Sequence, residues 1–138
     1  MPDTVFDFLA ASVAKPPLHQ WLKPELVAID ESGGAVELRL ALRAEFRRDP
    51  VRPEIHGGIL AVLADIAGHA VVAARLRHGV PTVDLRIDYL RMAQGAFLSA
   101  CATPVKIGRT LAVVDIRITD DQARLVAVGR GTYLTREG

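Results

Sequence analysis

The run from Ile59 to Ala74 constrains this chain more than any other feature, because apolar residues occupy nearly every helical face through Ile59, Leu60, Val62, Leu63, Ile66, Val71 and Val72. A helix that is apolar all round belongs in an interior. The run contains Asp65 and His69 and falls short of the roughly 18 apolar residues that suggest a membrane span. The spacing therefore predicts a buried helix over Gly57 to Arg77, and the rest of the sequence has to cover it on every side.

Strands supply that cover. Glu25 to Glu31 and Ala35 to Leu42 are apolar segments joined through Ser32-Gly33-Gly34, a hairpin pattern. From Thr82 to Tyr89 the sequence alternates, with Val83, Leu85, Ile87 and Tyr89 against Thr82, Asp84, Arg86 and Asp88, as a half-buried strand does. Further strands are expected at about Phe97 to Val105, Arg109 to Thr119 and Leu125 to Thr135, divided by Gly108 and Asp120-Asp121-Gln122. Ahead of them Thr4 is a candidate cap for a short helix from Val5 to about Val13, with Phe6 and Leu9 on one face, ended by Pro16-Pro17. The charged stretch from Arg43 to Glu54, interrupted by Pro50 and Pro53, reads as a loop. About six strands and one long helix give an α+β domain in which a curved antiparallel sheet wraps the helix.

A length of 138 residues suits one such domain, 1–138. With 17 basic and 16 acidic side chains the net charge is +1, which gives no support for nucleic-acid or membrane attraction, so any anion site has to be local. Half of the residues are hydrophobic, a slight excess that hints at interfaces between subunits. Cys101 is the only cysteine, which rules out an intrachain disulfide, and the start Met1-Pro2-Asp3-Thr4 lacks the pattern of a secretory leader. A cytoplasmic location is the expectation.

The chemistry concentrates where the loop becomes the long helix. His56-Gly57-Gly58 presents unpaired amides at the positive end of a helix, where they stabilise an oxyanion or, on the structural reading, let the backbone approach a neighbour closely. Asp65 is the only carboxylate in the apolar helix, a costly place for a charge unless it is paired or faces a cleft. It either pairs with His69 or an interface partner, or it attacks a carbonyl or activates water. His56 either orients a carbonyl or satisfies the loop backbone. Asp65 and His69 share a helical face, but two ligands without a third make no zinc site, so no catalytic metal is expected. Neither a G-x-S-x-G elbow nor a Walker loop occurs.

These residues resemble the phenylacetate-pathway type of hotdog thioesterase, related to the 4-hydroxybenzoyl-CoA thioesterases. The resemblance covers most of the chain. It is carried by His56-Gly57-Gly58 with Asp65, by Thr82-Val83-Asp84-Leu85-Arg86-Ile87-Asp88-Tyr89-Leu90-Arg91, by Gly108-Arg109-Thr110-Leu111, and by the closing strand Leu125 to Leu134. It implies a hotdog fold paired into a homodimer with continuous sheets, often a homotetramer built as a dimer of dimers, with active sites between subunits. The implied activity is hydrolysis of a small or aromatic acyl-CoA to free acid and CoA, without a cofactor. Asp65 would be nucleophile or general base, the Gly57 amide would polarise the carbonyl from the facing subunit, His56 would position the substrate, and the Thr82 hydroxyl would help place the attacking water. Lys106, Gly108, Arg109 and Thr110, with Arg91, match the region that contacts the CoA moiety.

The pattern departs at Pro50, where many relatives carry an asparagine that orders the water or carboxylate; proline cannot do this. That departure supports a competing reading, a hotdog module that binds acyl-CoA without turnover. The hydratase branch of the fold requires an aspartate-then-histidine pattern that is not seen here. Aromatic residues make up 5% of the chain, so no aromatic box marks the acyl group. The arginines Arg43, Arg47, Arg48 and Arg52 either meet phosphates or form an exposed charged loop; the second reading is the safer one and leaves them outside the site.

Overall fold

Thr4 opens the first helix by accepting the Asp7 N–H on its hydroxyl at 3.0 Å, so α1 runs Val5–Ala14. This computed structural model describes residues 4–136. Leu9 and Val13 of α1 turn inward, while Phe6, expected beside Leu9, is exposed. The Pro16-Pro17 pair does more than end α1. Pro17 takes the first position of a second helix, α2 (Pro17–Leu22), where a missing N–H costs nothing and the fixed φ suits the helix.

Six strands follow: β1 (Glu25–Ile29), β2 (Val36–Ala41), β3 (Thr82–Tyr89), β4 (Phe97–Ile107), β5 (Leu111–Asp120) and β6 (Leu125–Leu134). They form one antiparallel sheet in the order β1-β2-β4-β5-β6-β3. The long helix α3 (Gly57–Leu76) lies against the inner face of this sheet, ending at Arg77 in the left-handed conformation. The hotdog arrangement expected from the sequence is therefore present. Alternate residues explain the layering. Leu38, Leu98, Ala100, Ala102, Val114, Ile116 and Ile118 are buried against α3, which answers with Leu60, Leu63, Ala64, Ala67 and Ala70. Alanines predominate among these α3 residues and meet Ala100 and Ala102 of the sheet, so the helix can approach the larger strand side chains closely.

The charged segment before α3 is more ordered than a plain loop. Ala44–Phe46 form a 3-10 turn that buries Phe46, and Arg47 bridges to Ile55. Asp49 then accepts the N–H groups of Val51 and Arg52 at 2.8 and 3.2 Å, turning the chain around Pro50.

The two edges of the sheet differ. β1 is short and runs beside α1, whereas β3 is eight residues long and carries Val83 and Tyr89 at 57% and 51% exposure. An uncovered edge of that length is a template for pairing with another strand.

Candidate active site

His56 stands at the N-cap of α3. Its Nδ1 accepts the Gly58 N–H at 2.9 Å, which leaves the ring proton of the neutral imidazole on Nε2. The Gly57 N–H, at the first helical position, has no acceptor within the helix. Among the described residues no other group takes it either. The Gly57 carbonyl accepts the Tyr89 hydroxyl at 2.7 Å, and a Cβ added at Gly57 would sit 3.3 Å from the Tyr89 ring. Glycine here lets the Tyr89 ring lie close against the turn. Tyr89 was legible only as one more apolar residue of an alternating strand. Nothing in the sequence marked its hydroxyl as the fastening of the glycine turn.

The turn opens into a cleft of about 590 Å3 lined by Ile55, Leu60, Leu90 and Met92, together with Gly57 and the arginines Arg48 and Arg91. Arg91 was an expected site residue. Arg48, exposed on its charged loop, also lines this cleft.

Asp65 lies two turns further along α3, half-buried, and its Oδ1 accepts the Thr82 hydroxyl at 2.8 Å. A strict alternation would put Thr82 with Asp84 on the outer face. The register shifts between Thr82 and Asp84, so that Thr82 pairs with the inward-facing Tyr133 and its side chain reaches α3. The hydroxyl therefore holds the carboxylate directly. Behind it the Tyr133 hydroxyl donates to the Asp65 carbonyl at 3.2 Å. Burial, reinforced by the Asp65 charge, pushes the Tyr133 hydroxyl well above the ordinary tyrosine range, so it remains a donor. The expected alternative, Asp65 paired with His69, is not what the ring does: His69 Nε2 accepts the Val80 N–H at 3.2 Å. Burial lowers the pKa of His69, against a smaller opposing pull from Asp65.

Within one chain these residues fall into two groups. Eight residues of helix separate Gly57 from Asp65, about 12 Å at about 1.5 Å per residue. The same division holds along β3. Tyr89 pairs with Ala127 at one end and Thr82 with Tyr133 at the other, about 23 Å away at about 3.3 Å per residue. Arg91 lies with Gly57, His56 and Tyr89 at the first end. The β4–β5 hairpin with Lys106, Gly108, Arg109 and Thr110 lies at the Thr82 end, since Leu111 pairs with Leu134. Thr135 fastens that hairpin, its N–H to the Thr110 carbonyl at 2.8 Å and its hydroxyl to the Gly108 carbonyl at 2.7 Å. Among the described residues no group of three or more His, Cys, Asp or Glu is placed to hold a metal.

The sequence profile of the thioesterase superfamily matches residues 54–127, more than half of the chain and all of the segment from the glycine turn through Asp65 and β3. A relative from Halobacterium salinarum, provisionally named an esterase, is 35% identical over 115 residues, 75% of this chain and 76% of that one. The medium/long-chain acyl-CoA thioesterase YigI of Escherichia coli is 28% identical over 95 residues, 58% of this chain and 61% of its own length. Among solved structures, one from the thioesterase superfamily has a TM-score of 0.90 at 34% identity and covers 97% of this chain and 100% of its own. The Escherichia coli PaaI protein from the phenylacetic acid degradation operon has a TM-score of 0.82 at 23% identity over 98% of this chain and 97% of its own, which speaks for the fold alone. Profile, relatives and architecture together make this chain a member of the thioesterase superfamily.

Proposed function

We propose that the protein hydrolyses an acyl-CoA thioester to the free acid and CoA, in a site completed by two copies of the chain. The observation that carries this reading is a division of labour on one helix. Asp65 is a positioned carboxylate and Gly57 an open amide donor, yet about 12 Å of helix separates them, too far for both to act on one carbonyl within a chain. The open β3 edge supports this assembly, because antiparallel pairing with its copy would bring the Tyr89 end of one strand to the Thr82 end of the other. The Gly57 cleft with Arg91 would then face Asp65, Thr82 and the Lys106–Thr110 hairpin of the second copy.

In such a site the thioester carbonyl oxygen accepts the Gly57 N–H, which strengthens as negative charge develops on it. Asp65 acts either by drawing a proton from a water whose oxygen adds to the carbonyl carbon, or by adding its own carboxylate oxygen to that carbon. In the first course the tetrahedral intermediate collapses by breaking the C–S bond, and the thiolate of CoA takes the proton held on Asp65. In the second, the thiolate leaves first and water then opens the acyl–Asp65 anhydride. Thr82 keeps the carboxylate aimed, and His56 Nε2–H is free to donate to the substrate.

Thiol release from short-chain, long-chain and aryl acyl-CoAs, with Asp65→Ala in parallel, tests the reaction. Hydrolysis that disappears in the variant supports it. Stoichiometric acyl-CoA binding without turnover by the unaltered protein favours the binding-module reading that Pro50 raises. Mixing Asp65→Ala with Gly57→Pro subunits tests the shared site: activity that neither variant has alone requires the carboxylate and the amide to come from different copies.

A further inference from the structure

Arg48 and Arg91 line the same apolar cleft as the Gly57 amide. The backbone of each is held: the Arg48 N–H donates to the Glu54 carbonyl at 3.0 Å, and the Arg91 N–H to the Val126 carbonyl at 3.2 Å. Their side chains are exposed, and among the described residues neither guanidinium has a carboxylate within ion-pair distance. Neighbours in the same loop behave differently, since Arg43 meets Glu45 and Arg52 meets Glu54, each at 3.5 Å. An arginine on an ordinary solvated loop does not need to border an apolar cleft. Two of them on one cleft, without internal counter-charges and beside an open helix N-terminus, form a place for a forked contact with an oxyanion.

We propose that Arg48 joins Arg91 as an anion-binding pair of the Gly57 cleft, gripping an oxyanion that the thioester substrate carries away from its reacting carbonyl. The inference rests on the acyl-CoA reading above and adds to it a specificity-determining residue, Arg48. Two sources supply such a group: the nucleotide phosphates of CoA, or a carboxylate at the far end of a dicarboxylic acyl chain. Either one binds away from the reacting atoms, and a contact held equally in the bound substrate and the transition state lowers KM without changing kcat.

The test is steady-state hydrolysis by the full-length protein and by Arg48→Ala, Arg48→Lys and, as a control on the exposed loop, Arg47→Ala. Arg48→Ala is expected to raise KM by about fivefold or more with kcat within about twofold. Arg48→Lys should recover part of the loss, and Arg47→Ala should leave KM where it was. Repeating the comparison with pantetheine thioesters, which lack the nucleotide, identifies the source. If the Arg48→Ala effect vanishes there, the anion is a CoA phosphate; if it persists only for acyl chains ending in a carboxylate, the anion belongs to the acyl group. A KM that does not change with any substrate overturns the proposal. Should the unaltered protein hydrolyse none of these substrates, the hydrolytic reading fails by itself. Calorimetric titration of the same thioesters then decides the anion pair, with weaker binding by Arg48→Ala supporting it and equal binding refuting it.

Discussion

At the Gly57 turn of α3 the fastenings are an exposed histidine ring and the hydroxyl of a half-exposed tyrosine, and the turn borders an open cleft. At the Asp65 turn the backbone carbonyl is tied to a fully buried tyrosine and the carboxylate to a strand hydroxyl. Tyr133 occupies a slot between Gly68 of α3 and its own strand neighbour Gly131, where a Cβ at either glycine would overlap its ring end. The contrast follows from what each turn offers. An amide donor needs free approach and little else, because the helix already aims it. A carboxylate on a flexible side chain has to be held from two sides if it is to face one atom of a substrate.

The strongest challenge to that comparison is to neutralise the held group without changing its shape. Asp65→Asn preserves size and can still accept the Thr82 hydroxyl, so folding should be retained. It removes both the nucleophile and the base, and kcat/KM should fall by about 10³-fold or more, roughly 4 kcal/mol of transition-state stabilisation. Turnover within tenfold of the unaltered enzyme would remove Asp65 from the chemistry.

Next in size is the loss of the donor. Gly57→Pro deletes the N–H at the one helical position where proline is welcome, and His56, at φ −60° and ψ 131°, already has the backbone that precedes a proline. The added ring would have to share space with Tyr89. A fall in kcat of about 10²-fold, with the melting temperature nearly unchanged, is expected for a lost oxyanion donor. A large fall in stability instead would mean that the turn is packed as tightly as the Asp65 turn, and the contrast would fail.

The opposite expectation holds for Gly68→Ala. Helix propensity favours alanine by about 1 kcal/mol, but the new methyl meets a tyrosine that has no room to withdraw. Overpacking of this kind costs about 1–3 kcal/mol, and the net should be a destabilisation of up to roughly 2 kcal/mol in urea unfolding. Tyr133→Phe separates packing from hydrogen bonding, since it keeps the ring and removes only the bond to Asp65, with a loss of about 1 kcal/mol.

The uneven legibility of the sequence follows the same contrast. Periodicity and glycine placement disclosed α3, the hairpin and the strands, because these patterns are local and repeat. The pairing of His56-Gly57-Gly58 with Asp65 was legible as chemistry because a lone carboxylate in an apolar helix demands a reason. What escaped depends on a neighbour far away in sequence. Tyr89 reaches Gly57 across 32 residues; Thr82 entered as a site residue through the family resemblance, but its bond to Asp65 depends on a bulge that reverses its face; and Arg48, beside the Arg47–Ile55 bridge, lines the cleft. In the sequence Pro17 reads as a breaker, whereas in the structure it opens a helix. A proline pair carries both meanings, and only the residues after it decide between them.

The smallest effect concerns the base of the held turn. His69 accepts the Val80 N–H on Nε2, and that bond requires the unprotonated ring. Burial disfavours the imidazolium more than the nearby Asp65 favours it, so the folded pKa lies below the ordinary 6.5. A base with a depressed folded pKa binds more protons when unfolded. Stability is therefore full above about pH 6.5 and declines as the pH falls from there toward the folded value. Urea unfolding at pH 7.5 and 5.5 should show this decline, and His69→Gln, which can still accept the Val80 N–H, should flatten it. If the slope persists in that variant, the pH dependence comes from another group, and the turn that carries Asp65 is not braced through His69.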